Sequence, residues 1–170
     1  MYQDYKDLLS AFQSHGVKYL IVGGFAVIYH SQPRFTKHMD LFIKADLENA
    51  EVTDKALAAF GASLGGIRPE DFTDRDSFFR FGRDPKGFDI LPAIPGVDFD
   101  AAWERRVETV VDTATGLKAN FTSAEDLIAS KLASGRPQDL ADADAIRKAT
   151  QSQRPKAKKP EPIPGSGPTQ

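Results

Sequence analysis

The chain has no cysteine among its 170 residues. That excludes disulfides and thiolate metal centres and fits a reducing compartment, so the expected location is the cytoplasm. Long apolar runs are also missing. None comes near the roughly 18 residues needed to cross a bilayer, and no membrane partner is expected. The amino terminus, MYQDYKDLLSAF, lacks the basic start and apolar centre of a signal peptide and reads as an amphipathic helix. Charge of one sign is not in excess: 22 Lys and Arg face 24 Asp and Glu, a net charge of −2. No global electrostatic drive toward nucleic acid follows. There is no G-x-G-x-x-G, so a dinucleotide-binding fingerprint is not present. A Ser-His-Asp hydrolase is not expected either, because no nucleophile elbow is read.

What is present alternates between two periods. Tyr5, Leu8, Leu9 and Phe12 fall at helical spacing, with Gly16 as a stop. KYLIV (18 to 22), MDLFI (39 to 43), SFFRF (77 to 81) and FDIL (88 to 91) read as short strands, the last two joined by the turn Asp84-Pro85-Lys86-Gly87. VETVV (107 to 111) and LKANF (117 to 121) flank another turn. FAVIYH and residues 46 to 60 read as helices. Thr122-Ser123-Ala124-Glu125 spells a capping box before DLIASKLAS, and Pro137 opens DLADADAIRKA. The expected fold is a mixed α/β (α+β) domain over residues 1 to 150, closed by a C-terminal helical segment. Residues 151 to 170, rich in Pro and basic through Arg154, Lys156, Lys158 and Lys159, read as a disordered tail. It is either a solubilising extension or a nonspecific arm for phosphates.

Three features carry chemistry. Val22-Gly23-Gly24 takes a strand into a diglycine turn and a helix, where backbone N–H groups can meet phosphate. His38-x-Asp40 places two polar groups on one side of the next strand. Asp89 interrupts the apolar strand GFDIL. A carboxylate in such a strand is costly unless paired, hydrogen-bonded or bound to metal. If the strands are neighbours, Asp40, Asp89 and His38 can converge on a cation. His15 and His30 read as structural, and Phe60, Phe72, Phe78, Phe79, Phe81 and Trp103 as core.

VGGFAVIYHSQPRFTKHMDLFIK resembles the signature of the nucleotidyltransferase superfamily with the DNA polymerase beta-like fold. Gly23-Gly24, Asp40 and Asp89 match its diglycine turn, the second Asp of its Asp-x-Asp strand, and its later third carboxylate. EDLIASKLASGRPQDLADADAI resembles the helical close of small bacterial members, toxin-type and AbiEii-like, with Lys131 on a helix and a turn from Arg136 to Asp139. The resemblance implies a nucleotidyltransferase-like mixed β-sheet flanked by helices. It implies a catalytic set of Asp40, Asp89 and Lys131 and a metal set of His38, Asp40 and Asp89 with Mg2+ or Mn2+. It further implies transfer of a nucleoside monophosphate from an NTP to an RNA (tRNA) end or a protein hydroxyl, as the toxin of a toxin–antitoxin pair with an antitoxin partner.

The family pattern would have Asp where this chain has His38. The imidazole can ligate a metal, although Mg2+ prefers oxygen. It can leave a one-metal site that binds nucleotide without efficient turnover. Or it is a substitution, natural or introduced, that disarms an active enzyme. The alternative is a degenerate, non-catalytic module that binds nucleotide or a partner protein. Around the strand, Gly23, Gly24, Arg34, Thr36 and Lys37 are the candidate nucleotide contacts, because Arg offers phosphate a planar fork and Lys a point charge. Arg80 and Arg83 are candidates for the acceptor side. Asp139 is expected to cap the last helix in preference to positioning Lys131.

Overall fold

The computed structural model describes residues 1–153. Helix α1 (Gln3–Ser14) buries the expected stripe of Tyr5, Leu8, Leu9 and Phe12. Strand β1 (Tyr19–Val22), buried throughout, feeds directly into α2 (Gly23–His30), so the diglycine is the first turn of that helix and not a separate loop. Strand β2 (His38–Ile43) returns antiparallel to β1. Helix α3 (Leu47–Phe60) opens on Asp46, whose carboxylate accepts the Asn49 N–H, and closes on Gly61 at φ 94°. A 3-10 helix (Pro69–Thr73), β3 (Phe79–Phe81), β4 (Gly87–Leu91), α4 (Phe99–Glu104), β5 (Val107–Asp112) and β6 (Leu117–Phe121) follow. Helices α5 (Ala124–Ser134) and α6 (Pro137–Ser152) close the described chain.

The strands form one six-stranded sheet in the order β3-β4-β2-β1-β6-β5. The pairs β2–β4 and β1–β6 are parallel and the others antiparallel, including β3–β4 and β5–β6. This is the mixed α/β arrangement expected from the sequence. Strand alternation separates two faces. Tyr19, Ile21, Met39, Leu41, Ile43, Phe88 and Ile90 join Leu8, Leu9, Phe12, Ala56 and Leu57 in the main core. Each fully buried aliphatic or aromatic side chain there contributes on the order of 1.5–3 kcal/mol. On the other face Leu20, Val22 and Phe42 pack with Phe99 and Ala102 of α4 in a smaller cluster. The polar residues of β2 and β4 lie on this second face.

Several local expectations shift. The N-cap sits one residue later and the full box does not form: the Ser123 hydroxyl accepts the Asp126 N–H and donates to the Asp126 carboxylate. Both Thr-Ser and Glu-Asp are adjacent pairs, and the second member of each is used. Strand β3 starts only at Phe79, so Phe78 lies before it and is 60% exposed, which corrects its placement in the core. Phe72 and Phe81 are buried as expected. Helix α4 and the 3-10 helix were not anticipated. Helix α6 runs through Ser152, and the basic Pro-rich tail from residue 154 onward lies outside the described residues. No helix among the described residues is long and apolar enough to cross a membrane.

Candidate active site

The parallel register of β2 and β4 puts Asp40 directly beside Asp89, and β3 puts Arg80 beside Asp89. Val22, the last residue before the diglycine, is paired to Asp40 on the other side. One row therefore runs Arg80–Asp89–Asp40–Val22 across four strands, on the face opposite the main core. Two residues upstream on the same face His38 is registered with Gly87.

Asp89 is buried, 6% exposed, and both of its oxygens are occupied. Arg80 Nε donates to Oδ1 and Nη2 to Oδ2, each at 2.9 Å, a bidentate charge-assisted pair. Among the described residues Asp40 has no such partner. Burial first, and the neighbouring Asp89 second, push its carboxyl up to about 6, against the opposing pull of His38, Lys131 and Arg80. The Asp40 carboxylate fills the space against α2. A Cβ on Gly23, which holds φ 63°, would stand 2.0 Å from Asp40 Oδ2. Only glycine combines that left-handed backbone with so close an approach. A Cβ on Gly24 would likewise meet Thr36 Oγ1 at 2.5 Å, so Thr36 is packed against the start of α2 while its hydroxyl donates to His38 O at 3.2 Å.

His38 turns away from the carboxylate pair. Its Nε2 lies 3.1 Å from Asp84 Oδ1, in the β3–β4 turn, and Lys37 Nζ is 3.9 Å from the other Asp84 oxygen. The other ring nitrogen, Nδ1, is buried without a hydrogen-bond partner, against Gly87, where a Cβ would stand 2.9 Å away. The turn that carries Asp84 is pinned from the far side of the chain. The buried Tyr5 hydroxyl lies within hydrogen-bond reach of Gly87 O at 2.8 Å and Pro85 O at 3.1 Å.

The remaining candidates form a second group on the two closing helices. Lys131 Nζ lies 3.1 Å from Asp142 Oδ2 and 3.4 Å from Asp139 Oδ1. Arg34 donates to Asp142, tying the segment before β2 to α6, and Gln138 Nε2 donates to the same oxygen at 3.0 Å. Burial alone would raise the Asp142 carboxyl, but Arg34, Gln138 and Lys131 together hold it below the usual range. Asp139 does not cap α6, whose N-cap Arg136 makes no side-chain cap hydrogen bond. Instead Asp139 accepts from Arg136 Nε at 2.7 Å and steadies Lys131, and the Arg136 fork holds its carboxyl below the ordinary range. The positioning role thus replaces the capping role. His15 Nδ1 lies 2.8 Å from Ala11 O and His30 Nε2 lies 2.7 Å from Thr122 O, both structural.

Asp84 and Asp142 were not singled out in the sequence. Asp142 follows Asp139 by three residues, so helical spacing alone would have put both carboxylates on the side facing Lys131. Asp84 was read only as part of a turn. Gly61-Ala62-Ser63-Leu64-Gly65 spells a G-x-S-x-G. It follows α3 and enters a loop, the reverse of the strand-to-helix elbow, so no nucleophile is built there.

The donor set suits one divalent cation. Asp40 is a carboxylate without a hydrogen bond beside a second carboxylate, the kind of oxygen pair that Mg2+ or Mn2+ accepts. It does not amount to a closed cage. Among the described residues no group of three His, Cys, Asp or Glu side chains is gathered in metal-holding geometry.

A family model described as a nucleotidyltransferase of unknown function, DUF6036, matches residues 3–151. The chain belongs to that family. No curated protein matches the DUF6036 chain. Among solved structures it is similar to the lincosamide antibiotic adenylyltransferase LnuA in its lincomycin-bound form. The TM-score is 0.54 at 15% identity, over 88% of this chain and 98% of that one. It is also similar to ANT(2'')-Ia in complex with adenylyl-2''-tobramycin, with a TM-score of 0.55 at 17% identity over 87% and 86% of the two chains. A solution structure of ANT(2'')-Ia gives 0.54 at 16% identity over 88% and 82%. At these identities the likeness establishes the shared nucleotidyltransferase fold.

Proposed function

We propose that this DUF6036 protein moves a nucleoside monophosphate from an NTP to a hydroxyl group, with Mg2+ or Mn2+ at Asp40 and Asp89, and that His38 keeps the transfer weak. The observation that carries this reading is the row itself. Asp40 and Asp89 stand side by side next to the glycine start of α2, while the residue two positions before Asp40 is an imidazole engaged with Asp84. Bound there, the cation would neutralise triphosphate charge and activate the acceptor oxygen. The protein's own part is positioning. The α2 amino terminus offers N–H groups to phosphate. Lys131, fixed by Asp139 and Asp142, brings a cation whose charge is felt at Asp40. Thr36 lies against Gly24 at the start of the same helix, and Arg34 is held through Asp142, which also holds Lys131. His38 supplies no carboxylate to the cation, so one ligand and one negative charge are missing.

For the acceptor, the resemblance to toxin-type members supports a tRNA end or a protein hydroxyl, with an antitoxin as partner. The antibiotic adenylyltransferases of the same fold place a small hydroxylated molecule beside these as an arm of the test. The second reading is a non-catalytic nucleotide- or partner-binding module. It is favoured by two observations, the Arg80 fork on Asp89 and the His38–Asp84 contact, which give Asp89 and His38 partners without metal and leave Asp40 unpaired among the described residues.

The deciding experiment offers each labelled NTP with Mg2+ or Mn2+, and bulk tRNA, total protein or a hydroxylated antibiotic as acceptor, to the parent and to His38→Asp. Label should move with the parent weakly and with His38→Asp at least roughly tenfold faster, the effect of restoring a charged ligand. If neither protein transfers label while both bind nucleotide, the binding module is the correct reading.

A further inference from the structure

We infer that Arg80 is the resident counter-ion of this site, a positioning residue that holds Asp89 where a divalent cation would otherwise sit and that a cation must displace. The inference rests on the proposed cation at Asp40 and Asp89 and says how that cation is admitted. A cation bridging the two carboxylates needs at least one oxygen of each. Both oxygens of Asp89 accept from the Arg80 fork, at 2.9 Å and 2.9 Å, which uses one lone pair of each and sets a full positive charge against the place a second cation would take. Asp89 is nearly without solvent access, so its charge cannot be met by water alone and must have a partner at all times. Arg80 is placed to come and go. Its side chain is 55% exposed, against 9% for Asp89. It stands on β3, a three-residue strand at the edge of the sheet, with no strand beyond it among the described residues. On its outer side the exposed Phe78 ring lies 5.9 Å from the guanidinium carbon. A guanidinium released from Asp89 therefore has an aromatic face and open solvent to move into, a favourable resting place for a planar cation.

Asp40 is the contrast. It lies one strand further in and no arginine forks onto it. The row thus has one carboxylate already neutralised and one waiting. With a cation held by Asp40 and Asp89, the Arg80 guanidinium would be free to turn toward solvent, where it could meet an anionic phosphate.

Mn2+ binding to the parent, Arg80→Ala, Arg80→Gln and His38→Asp, measured by electron paramagnetic resonance and calorimetry without nucleotide, tests the exchange. Arg80→Ala should bind Mn2+ at least roughly tenfold more tightly than the parent, because one charge-assisted contact no longer has to be broken. Its melting temperature without metal should fall, and saturating Mn2+ should raise it by more than in the parent. Arg80→Gln keeps a neutral donor near Asp89, and if Arg80→Ala does not fold, tighter Mn2+ binding by Arg80→Gln supports the exchange. Equal or weaker binding by folded Arg80 variants, with His38→Asp binding more tightly than the parent, overturns the counter-ion role and leaves the cation site standing. Absence of Mn2+ binding in all four proteins overturns both.

Discussion

Gly23 and Asp40 share one space: a Cβ on Gly23 would stand 2.0 Å from Asp40 Oδ2. Gly23→Ala therefore meets two penalties, a left-handed backbone at φ 63° and a collision with the carboxylate. Gly61 is a control, with φ 94° and nothing within 4 Å of its would-be Cβ. Gly61→Ala should cost about 1–2 kcal/mol from backbone strain alone. Gly23→Ala should cost more, and the excess should disappear in an Asp40→Ala background. Urea denaturation of Gly23→Ala, Gly61→Ala, Asp40→Ala and the Gly23→Ala, Asp40→Ala double variant checks this, and equal costs for the two glycines would remove the contact from the account.

The folded chain holds the Asp40 proton more tightly than the unfolded chain does, since its carboxyl is pushed up to about 6. An unfolded aspartate titrates near 3.9. The associated stability is fully present below about pH 4 and is lost as pH rises through about 6. Asp40→Asn cannot ionise. In the absence of divalent cations its stability relative to the parent should grow from pH 4 to pH 8 by up to about 3 kcal/mol. Denaturation curves at several pH values test this, and a gap that does not change with pH would sink it.

Asp142 joins residues distant in the chain, Arg34 before β2 and Lys131 on α5. Asp142→Ala leaves Lys131 on Asp139 alone and releases Arg34. A loss of about 2–4 kcal/mol is expected, because the variant strands partly buried cations. Nucleotide affinity should fall with it, and Asp142→Asn should restore stability more than affinity. Thermal denaturation alongside nucleotide titration separates the two effects. Unchanged affinity in both variants would make Asp142 a structural residue only.

Tyr5 reaches across the domain to the turn that carries Asp84, with its hydroxyl at Gly87 O and Pro85 O. Burial first pushes its phenol up to about 12, so it stays a donor at any working pH. Tyr5→Phe should cost about 1 kcal/mol. Amide exchange across residues 82 to 87 should quicken while that of β1 stays slow. Uniform quickening across the sheet would point to global destabilisation instead.

The carboxylates were legible in the sequence because each breaks an apolar strand, and the elements were legible because Tyr5, Leu8, Leu9 and Phe12, or Thr-Ser before DLIASKLAS, are local signals. What was not legible depends on pairing between distant strands. Nothing near Asp40 says that β2 takes β4 as its parallel neighbour, and the Arg80 fork on Asp89 exists only through the β3–β4 register. Phe78 was misplaced because SFFRF has one hydrophobic pattern whether the strand begins at residue 77 or 79. Helix α4 is a single short turn and a half, signalled only by Asp98, which caps it by accepting the Ala101 N–H. Asp139 was assigned to its own helix end because spacing does not show that its carboxylate takes the Arg136 fork and, across the α5–α6 turn, Lys131 in place of backbone N–H groups.

The row from Arg80 to Val22 also acts as a ruler for the chain. A slip of one residue between β2 and β4 would turn one of the two strands over, carrying either Asp40 or Asp89 into the apolar layer and lifting Leu41 or Ile90 out of it. His38 is polar enough to keep that alignment in place of a carboxylate. Correct folding therefore favours a polar side chain at these positions whether or not the protein transfers nucleotides, so strand alignment is a second role of Asp40 and Asp89 beside chemistry.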